Sequence, residues 1–218
     1  MVAGTIFPLD HVRLADRPLV VCDIDEVVLE FLSPFAAFLN SRGHDLLPRS
    51  FRLHGNIIES ATGEAAIDTV VDALQEDFFR LQEDWQTPAV LAVETLGALG
   101  RDADIVFLTA MPPRHAEARR RLLHRIGLTF PLVATEAAKG PVVQALHRSR
   151  PLPLAFVDDI HFNHLSVQGS VPEALLVQLM ANQVFRAMAP DPGEKVLRAT
   201  DWRHAERLIR AHFARPPF

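Results

Sequence analysis

The sequence has little of what a secreted, membrane-spanning or nucleic-acid-binding protein needs. Its one cysteine, Cys22, cannot form an internal disulfide, so nothing in the chain calls for an oxidising compartment. No apolar run approaches the roughly 18 residues that cross a bilayer. Charged residues interrupt positions 1–20, where a signal peptide would be apolar. These absences predict a cytoplasmic protein that has no membrane partner.

Positive charge is also scarce, because 22 Lys and Arg stand against 27 Asp and Glu, a net charge of −5. Nucleic-acid polymers are bound through basic surfaces, so no such polymer is expected as a partner. A hydrophobic fraction of 49% excludes a disordered chain. The motifs GxGxxG, GxxxxGK[ST], HExxH and GxSxG are missing, which argues against the cofactor-binding and hydrolytic sites that they mark.

Short apolar runs alternate with helical patterns along the chain of 218 residues. The runs that indicate buried strands lie at 18–24, 104–109, 131–134 and 154–157, with a weaker one at 174–180. Helical patterns lie at 113–126, 137–147 and 201–212. This alternation favours right-handed crossovers. It predicts an α/β protein with a doubly wound, mostly parallel, Rossmann-like sheet.

One interval breaks the alternation. Between 29 and 87 no buried strand is evident, only amphipathic helical stretches at 33–41 and 64–81. We therefore predict a core domain formed by residues 1–28 and 88–218, with a small helical cap at 29–87 inserted after the first strand. The alternative is a set of helices that pack on the sheet and do not move separately.

Polar residues stand where the predicted strands end, at the edge where parallel sheets bind ligands. Each lies at a strand end or, in one case, near the start of the following helix; they are Asp23, Asp25, Thr109, Lys139, Asp158 and Asp159. Taken singly, each also fits a turn, a helix cap or a solvated surface. Together they predict a cation and phosphate site, because none of these groups is cheap to bury without a partner.

These segments resemble the motifs of the haloacid dehalogenase superfamily of phosphohydrolases. The matching stretches are VVCDIDEVV, VFLTA, the lysine of AAKGPVVQAL, and LAFVDD. The resemblance covers roughly residues 18–164, and the insertion falls where that superfamily places its first type of cap. It implies a Mg²⁺-dependent hydrolase of phosphomonoesters that acts on a small phosphorylated metabolite through an aspartyl-phosphate.

The resemblance implies four catalytic residues. Asp23 would attack phosphorus and Asp25 would serve as general acid and base, while Thr109 and Lys139 would hold the transferring phosphoryl group. A carboxylate nucleophile divides one difficult step into two. An ammonium and a hydroxyl stabilise charge on the phosphoryl oxygens.

The resemblance also implies a metal site. Mg²⁺ would be held by Asp158 and Asp159 together with Asp23 and the backbone carbonyl of Asp25, and Asp158 is ranked above Asp159 as the direct ligand. Hard oxygen ligands of this kind suit Mg²⁺.

One residue departs from the family pattern. Glu26 stands where such motifs commonly have glycine. A carboxylate beside a phosphate site is unfavourable unless it turns away or pairs with a cation. The presence of Asp25 speaks against a dehalogenase, since dehalogenases of the family generally lack that acid.

A second resemblance concerns the cap. Residues 77–81 (DFFRL), followed by Pro88, are similar to the cap end of the small 5′-deoxyribonucleotidases. This implies a nucleoside monophosphate substrate whose base stacks on Phe78 or Phe79; the alternative is that both rings are cap core. Arg114 opens a helix after the second strand and is predicted to contact substrate, or else to lie in a solvated first turn.

Two features are given a structural interpretation. The arginines at 119–121 are predicted to be a solvated helix face. His161 and His164 are interpreted as surface residues or supports of the site. Two other functions stay open: a mutase that uses the same aspartate, and a binding or regulatory module that has lost turnover.

Overall fold

The computed structural model describes residues 9–148 and 150–215. None of the helices in these ranges combines the length and the apolar character needed to cross a membrane. In chain order the elements are β1 (Leu19–Cys22), α1 (Leu32–Ser41), β2 (His44–Leu46), β3 (Ile57–Glu59), α2 (Asp68–Arg80), α3 (Gln82–Trp85), α4 (Ala92–Leu99), β4 (Asp104–Thr109), α5 (Ala116–Arg125), β5 (Leu132–Ala134), α6 (Lys139–His147), β6 (Leu154–Asp158), α7 (His161–Ser170), β7 (Leu175–Gln178), α8 (Gln183–Met188), β8 (Val196–Arg198) and α9 (Trp202–Phe213).

Six strands form one sheet in the order β5-β4-β1-β6-β7-β8, and every pairing in it is parallel. From β1 the chain first builds one side of the sheet with β4 and β5, then crosses to build the other with β6, β7 and β8. The order therefore reverses beside β1, and open sheets of this kind bind ligands at such a reversal. The predicted α/β doubly wound fold is confirmed.

Helices cover both faces of the sheet. Val20 and Cys22 of β1 face a core shared with α4, α5 and α9, whereas Leu19 and Val21 face a second core shared with α6 and α7. Because side chains alternate between two covered faces, the whole strand is apolar. This is why β1 was recognisable in the sequence as an uninterrupted hydrophobic run.

The five apolar runs predicted as strands are confirmed as β1, β4, β5, β6 and β7. Outside the insertion, α7, α8 and β8 had no counterpart among the predicted elements. In β8 only Val196 of the three residues is buried, because this strand lies at the edge of the sheet. Such a short edge strand has too few buried positions to show a pattern.

The insertion contains α1, α2 and α3 and also an antiparallel pair, β2 and β3, which corrects the prediction of helices alone. Three residues per strand are too few to show strand periodicity in the sequence. The loop at 47–56 between them closes on the buried Asn56. Its Nδ2 donates to the carbonyl oxygens of Ser50 (2.8 Å) and Arg52 (2.7 Å).

The chain enters and leaves the insertion along two paired segments. The Glu30 N–H donates to the Thr87 carbonyl at 2.9 Å, and the Ala89 N–H donates to the Val28 carbonyl at 2.9 Å. The predicted boundaries, 28/29 and 87/88, fall within this double crossing. The division into a core and a separate cap domain stays a prediction.

A third apolar cluster joins the insertion, called the cap below, to the sheet domain. Its cap members include Phe31, Phe35 and Phe78, and it continues into Met111 and Met180 beyond the sheet edge. The cap therefore rests directly over the carboxyl ends of the strands, where the predicted site residues lie.

Candidate active site

The backbone pairing of β1 with β6 continues one residue past the end of β1. The Asp23 N–H donates to the Val157 carbonyl at 2.9 Å, which continues the parallel ladder. Asp23 is thereby held beside Asp158, the last residue of β6. The structure brings these two predicted residues together at the reversal of strand order, where the fold favours a ligand.

Lys139 lies between them. Its Nζ is 2.6 Å from Asp23 Oδ1 and 2.7 Å from Asp158 Oδ2, and the residue is 2% exposed. Burial by itself would lower the pKa of Lys139, but the carboxylates of Asp158 and Asp23 raise it above its usual value. Lys139 is therefore a fixed cation at the floor of the site.

The position of Lys139 depends on a close approach of two helices. Lys139 begins α6, and the next residue, Gly140, packs against α7 so tightly that a Cβ there would lie 2.1 Å from the Ser166 carbonyl oxygen. The Gly140 N–H also donates to Ser166 Oγ at 2.9 Å. Only glycine permits this contact.

Three carboxylates form the one group of potential metal ligands found among residues 9–148 and 150–215. Oxygens of Asp23, Asp158 and Asp159 all lie within 4.8 Å of one another, and all three residues are buried. Burial raises the pKa of Asp23 to about 7, although Lys139 opposes the shift. Burial, with the charges of Asp158 and Asp23, also raises the pKa of Asp159 well above its usual range. One ammonium does not balance three carboxylates, so an all-oxygen site of this charge fits Mg²⁺.

Asp158, the last residue of β6, and Asp159, which follows it, face different partners. The Asp158 carboxylate accepts hydrogen bonds from Lys139, from Asn163 Nδ2 (3.0 and 3.1 Å) and from the Ile160 N–H (2.8 Å). Asp159, in contrast, lines the cavity above the sheet. This geometry favours Asp159 as the direct metal ligand, the reverse of the order ranked from the sequence.

His164 supports the site without entering it. The residue is fully buried, and its Nε2 lies 3.0 Å from the Asp158 carbonyl oxygen. His164 therefore steadies the end of β6 through the backbone, in agreement with the interpretation of it as a support.

The Asp25 side chain turns towards α5 and α3. Its carboxylate accepts hydrogen bonds from Arg119 Nη2 (2.9 Å, Oδ1), Arg119 Nη1 (3.1 Å, Oδ2) and Gln86 Nε2 (2.9 Å, Oδ1). Thr109 Oγ1 lies 3.4 Å from Asp25 Oδ2, and it accepts the Met111 N–H at 3.1 Å. Asp25 and Thr109 thus lie side by side at the ends of neighbouring strands.

Arg119 contradicts the prediction of a solvated arginine face at 119–121. Arg119 is fully buried, and only Arg121 of the three is exposed. Its burial is compensated by the Asp25 carboxylate, a partner distant in sequence that no local pattern reveals. One signal was present: Arg119 shares its helix face with Leu122 and Leu123, three and four residues later, and both are buried.

Glu26 occupies a left-handed backbone conformation with φ of 65°, which explains why glycine is common at this position. Its carboxylate accepts the N–H groups of Phe31 (3.1 Å), Leu32 (2.8 Å) and Asn182 (2.6 Å), and the residue lines the cavity above the sheet. Burial raises the pKa of Glu26, and these three donors oppose the shift. These donors compensate the charge of Glu26 in part, but that charge still contributes to the raised pKa of Asp159.

A cavity of about 650 Å³ lies between the sheet edge and the cap. Asp23, Asp25, Thr109, Lys139 and Asp159 line it from the sheet. Its walls are largely apolar, and Phe79 is the one apolar wall residue among those predicted to meet substrate. The apolar wall residues that the sequence did not indicate include Phe31, Leu32, Phe51, Leu53, Met111, Met180 and Phe185.

The two phenylalanines predicted to meet substrate have different surroundings. Phe78 is fully buried and packs against Phe31, Phe35 and Phe38, with ring centroids 5.1–5.6 Å apart. It belongs to the cap core, so its prediction as a substrate contact is wrong. Phe79 lines the cavity.

Arg114 reaches the cavity wall but is paired across the gap between core and cap. Its Nε donates to Glu76 Oε1 at 2.8 Å, and His115 Nε2 lies 2.8 Å from the same oxygen. The hydrogen bond from Arg114 lowers the pKa of Glu76 to about 2. Arg114 thus holds the cap over the site.

No family model matches the sequence, and no curated protein matches it. Solved structures do match the fold. A haloacid dehalogenase-like protein of unknown function from Agrobacterium tumefaciens superimposes with a TM-score of 0.62 at 11% identity, covering 88% of this chain and 97% of that one. The chain has a haloacid dehalogenase-like fold.

Two further solved structures with the haloacid dehalogenase-like fold are similar to this chain. A family hydrolase from Deinococcus radiodurans, solved with bound phosphate and sodium, has a TM-score of 0.56 at 16% identity, covering 93% of this chain and 99% of its own. The L-2-haloacid dehalogenase of Xanthobacter autotrophicus, solved with chloropropionic acid covalently bound, has a TM-score of 0.56 at 14% identity, covering 88% and 98%. Identities this low establish the fold alone.

Proposed function

We propose that this protein is a Mg²⁺-dependent phosphomonoester hydrolase that acts through an aspartyl-phosphate on Asp23. One observation carries the proposal: Asp23 is paired with the buried Lys139, beside two further carboxylates, at the floor of a cavity that the cap covers. The Asp25 carboxylate, which dehalogenases of this fold generally lack, lines the same cavity. The phosphate bound in the Deinococcus radiodurans structure is consistent with this chemistry.

In the first half-reaction an Asp23 carboxylate oxygen attacks phosphorus. Asp25 starts this step as the protonated carboxyl; the bond from phosphorus to the leaving oxygen breaks, and the leaving alkoxide takes that proton, which leaves Asp25 as a carboxylate. In the second half-reaction the Asp25 carboxylate removes a proton from water, the water oxygen attacks phosphorus, and the bond from phosphorus to the Asp23 oxygen breaks. Inorganic phosphate then leaves, with Asp23 again a carboxylate and Asp25 again protonated. Lys139 and Thr109 stabilise the charge on the phosphoryl oxygens throughout.

The carboxylates of Asp23 and Asp159, together with the backbone carbonyl of Asp25, are the groups that would hold Mg²⁺, with Asp158 as a further acidic contributor. Bound there, Mg²⁺ would offset the repulsion between Asp23 and a phosphate dianion. Asp158 meanwhile orients Lys139 through their 2.7 Å contact.

The cavity indicates a substrate with a bulky, partly apolar leaving group. Phe51 and Leu53 on the 47–56 loop face it from the cap, together with Phe79, while Phe185 lies on the core side. Aromatic rings of this kind stack on a planar group. A small phosphorylated metabolite that carries a ring, such as a nucleoside monophosphate, suits this wall better than a short-chain phosphate.

The test is hydrolysis of p-nitrophenyl phosphate by the purified protein, with Mg²⁺ or with a chelator. We expect activity with Mg²⁺ and none after chelation, and we expect Asp23→Asn to abolish turnover because an amide cannot accept the phosphoryl group. Asp25→Asn should slow turnover of an alkyl phosphate by ~10²- to 10⁴-fold, the usual contribution of general acid–base catalysis.

Three results would contradict the proposal. Residual turnover by a folded Asp23→Asn protein would show that Asp23 is not the nucleophile. Activity that resists a chelator would show that the reaction does not need the metal. A wild-type protein that binds phosphate esters but turns none over would support the alternative of a binding or regulatory module.

A further inference from the structure

We propose that Arg119 is a positioning residue that orients the Asp25 carboxylate for proton transfer, and that it does so only when the end of the cap is in place. This inference rests on the proposed function, since it concerns the residue that moves the proton. Arg119 is fully buried and does not line the cavity, so it cannot act by touching substrate.

The contact between Arg119 and Asp25 is bidentate. Nη1 and Nη2 of the guanidinium donate to the two different carboxylate oxygens, at 3.1 and 2.9 Å. Two parallel bonds fix the plane of a carboxylate as well as its position, which a lysine ammonium cannot do. The Asp25 side chain is 20% exposed, and without Arg119 only single hydrogen bonds from Gln86 and Thr109 would hold its carboxylate.

Arg119 is itself held by the last helix of the cap. Its Nε donates to Gln82 Oε1, and its Nη2 donates to Gln86 Oε1 at 3.1 Å. Gln86 Nε2 in turn donates to Asp25 Oδ1 (2.9 Å) and to the Glu30 carbonyl (3.1 Å). Arg119, Asp25, Gln82 and Gln86 therefore form one network, which we call the Asp25 clamp.

The clamp spans three parts of the molecule. Asp25 follows β1, Arg119 lies on α5 of the core, and Gln82 begins α3 while Gln86 follows it, next to the exit of the cap at Thr87. A shift of α3 would remove both glutamine acceptors from the guanidinium. The orientation of the proton-transferring carboxylate is thus coupled to the seating of the cap.

The same helix supplies a matched control. Arg121 also joins α5 to α3, through Glu83 Oε2 at 2.7 Å, but its side chain is 61% exposed and makes no contact with Asp25 among the described residues. A merely structural link between α5 and the cap would be weakened by substitution at either arginine. If Arg119 positions Asp25, substitution at Arg119 should impair proton transfer and substitution at Arg121 should not.

The experiment compares kcat/KM for p-nitrophenyl phosphate with kcat/KM for an alkyl phosphate such as glycerol 3-phosphate. An alkoxide needs a proton in order to leave and p-nitrophenolate does not. Both esters share the later removal of a proton from water by Asp25, but kcat/KM reports only the steps up to formation of the aspartyl-phosphate. Misplacement of Asp25 should therefore lower kcat/KM mainly for the alkyl ester. We expect Arg119→Met to lower kcat/KM for the alkyl ester by ~10²-fold, of the order of general acid–base catalysis. The aryl ester should lose far less, and Arg121→Met should leave both values near wild type.

Two further variants complete the test. Asp25→Asn combined with Arg119→Met should match Asp25→Asn alone on the alkyl ester, because the clamp then has no acid to orient. Arg119→Lys retains the buried charge and so guards against failure to fold; it should show the same selectivity for the aryl ester, to a smaller extent.

Equal losses on both esters, or effects of Arg119→Met and Asp25→Asn that multiply in the double variant, would overturn the positioning role while leaving the hydrolase intact. A wild-type protein inactive on every ester would overturn both proposals together. Circular dichroism of each variant confirms that it is folded.

Discussion

Glu26 stands where the motif commonly has glycine, yet its side chain makes hydrogen bonds that glycine could not make. Its backbone adopts the left-handed conformation that glycine takes without strain, at a cost of about 1–3 kcal/mol for a residue with a side chain. In return its carboxylate accepts the N–H groups of Phe31 and Leu32 at the start of α1, and that of Asn182. A negative charge at a helix N-terminus is favourable. Glu26 therefore joins the site loop, the first cap helix and the segment after β7.

At the same scale, Phe78 and Phe79 give a prediction with its own control. Stacking on an aromatic leaving group contributes about 1–3 kcal/mol, so Phe79→Leu should raise KM for a nucleoside monophosphate roughly tenfold. KM for an alkyl phosphate without a ring should change little. Phe78→Leu should instead lower the free energy of unfolding by about 1–2 kcal/mol, with similar losses on both substrates.

Steady-state kinetics with the two substrates and thermal unfolding of both variants make the comparison. If Phe79→Leu behaves like Phe78→Leu, both rings serve as cap core and the aromatic leaving group loses its support.

At the scale of elements, the contact between α6 and α7 positions the ammonium group of Lys139 in the site. Gly140 lets α6 approach the backbone of α7, and Lys139, one residue earlier, then reaches both Asp23 and Asp158. Neither helix could move without displacing the ammonium group, because packed elements do not deform continuously.

Gly140→Ala should therefore impair catalysis as well as stability. The added Cβ would lie 2.1 Å from the Ser166 carbonyl oxygen, so α6 must shift. Overpacking of this kind costs about 1–3 kcal/mol, and the displaced Lys139 should reduce kcat at least tenfold. Gly169→Ala on α7, whose Cβ would meet nothing within 4 Å, should be neutral or stabilising by up to about 1 kcal/mol.

Measurements of thermal unfolding and of kcat for Gly140→Ala and Gly169→Ala test this prediction. Unchanged kcat in a folded Gly140→Ala protein would mean that Lys139 reaches its partners by another route.

At the scale of the whole molecule, the site concentrates buried negative charge that one lysine does not balance. Asp23 and Asp158 pair with Lys139, and Asp159 lies beside these two carboxylates, while the chain as a whole carries a net charge of −5. The folded protein therefore buries carboxylates where their charges are unfavourable, and a bound cation would reduce the repulsion between them.

This arrangement predicts how Mg²⁺ stabilises the protein as pH changes. Burial raises the pKa of Asp23 from 3.8 to about 7, so the folded metal-free protein holds a proton that the unfolded chain has released. Its stability should thus fall as pH rises through that window. The lowered pKa of Glu76, about 2, affects stability only at lower pH. Mg²⁺ binds the ionised carboxylates, so it should raise Tm more at about pH 7.5 than at about pH 5.

The measurement is Tm with Mg²⁺ and with a chelator at both pH values. An equal gain at the two pH values would show that Asp23 is already ionised in the metal-free protein, and the absence of any gain would argue against the metal site.

The sequence by itself determined the fold class and the residues of the sheet edge. Apolar runs long enough to be buried on both faces predicted β1, β4, β5 and β6, and the carboxyl ends of parallel strands necessarily meet. Asp23, Asp25, Thr109 and Asp159 were therefore placed together from local pattern alone. Lys139 followed from its place at the start of a helix.

Only the tertiary structure decided what each side chain faces. Phe78 and Phe79 are neighbours on one helix, yet one is buried in the cap and the other lines the cavity, because adjacent residues point about 100° apart. Arg119 is buried against Asp25, a partner that lies 94 residues away in the sequence. Contacts of such long range arise from the packing of β1, α5 and α3 against one another, and no local pattern in the sequence encodes them.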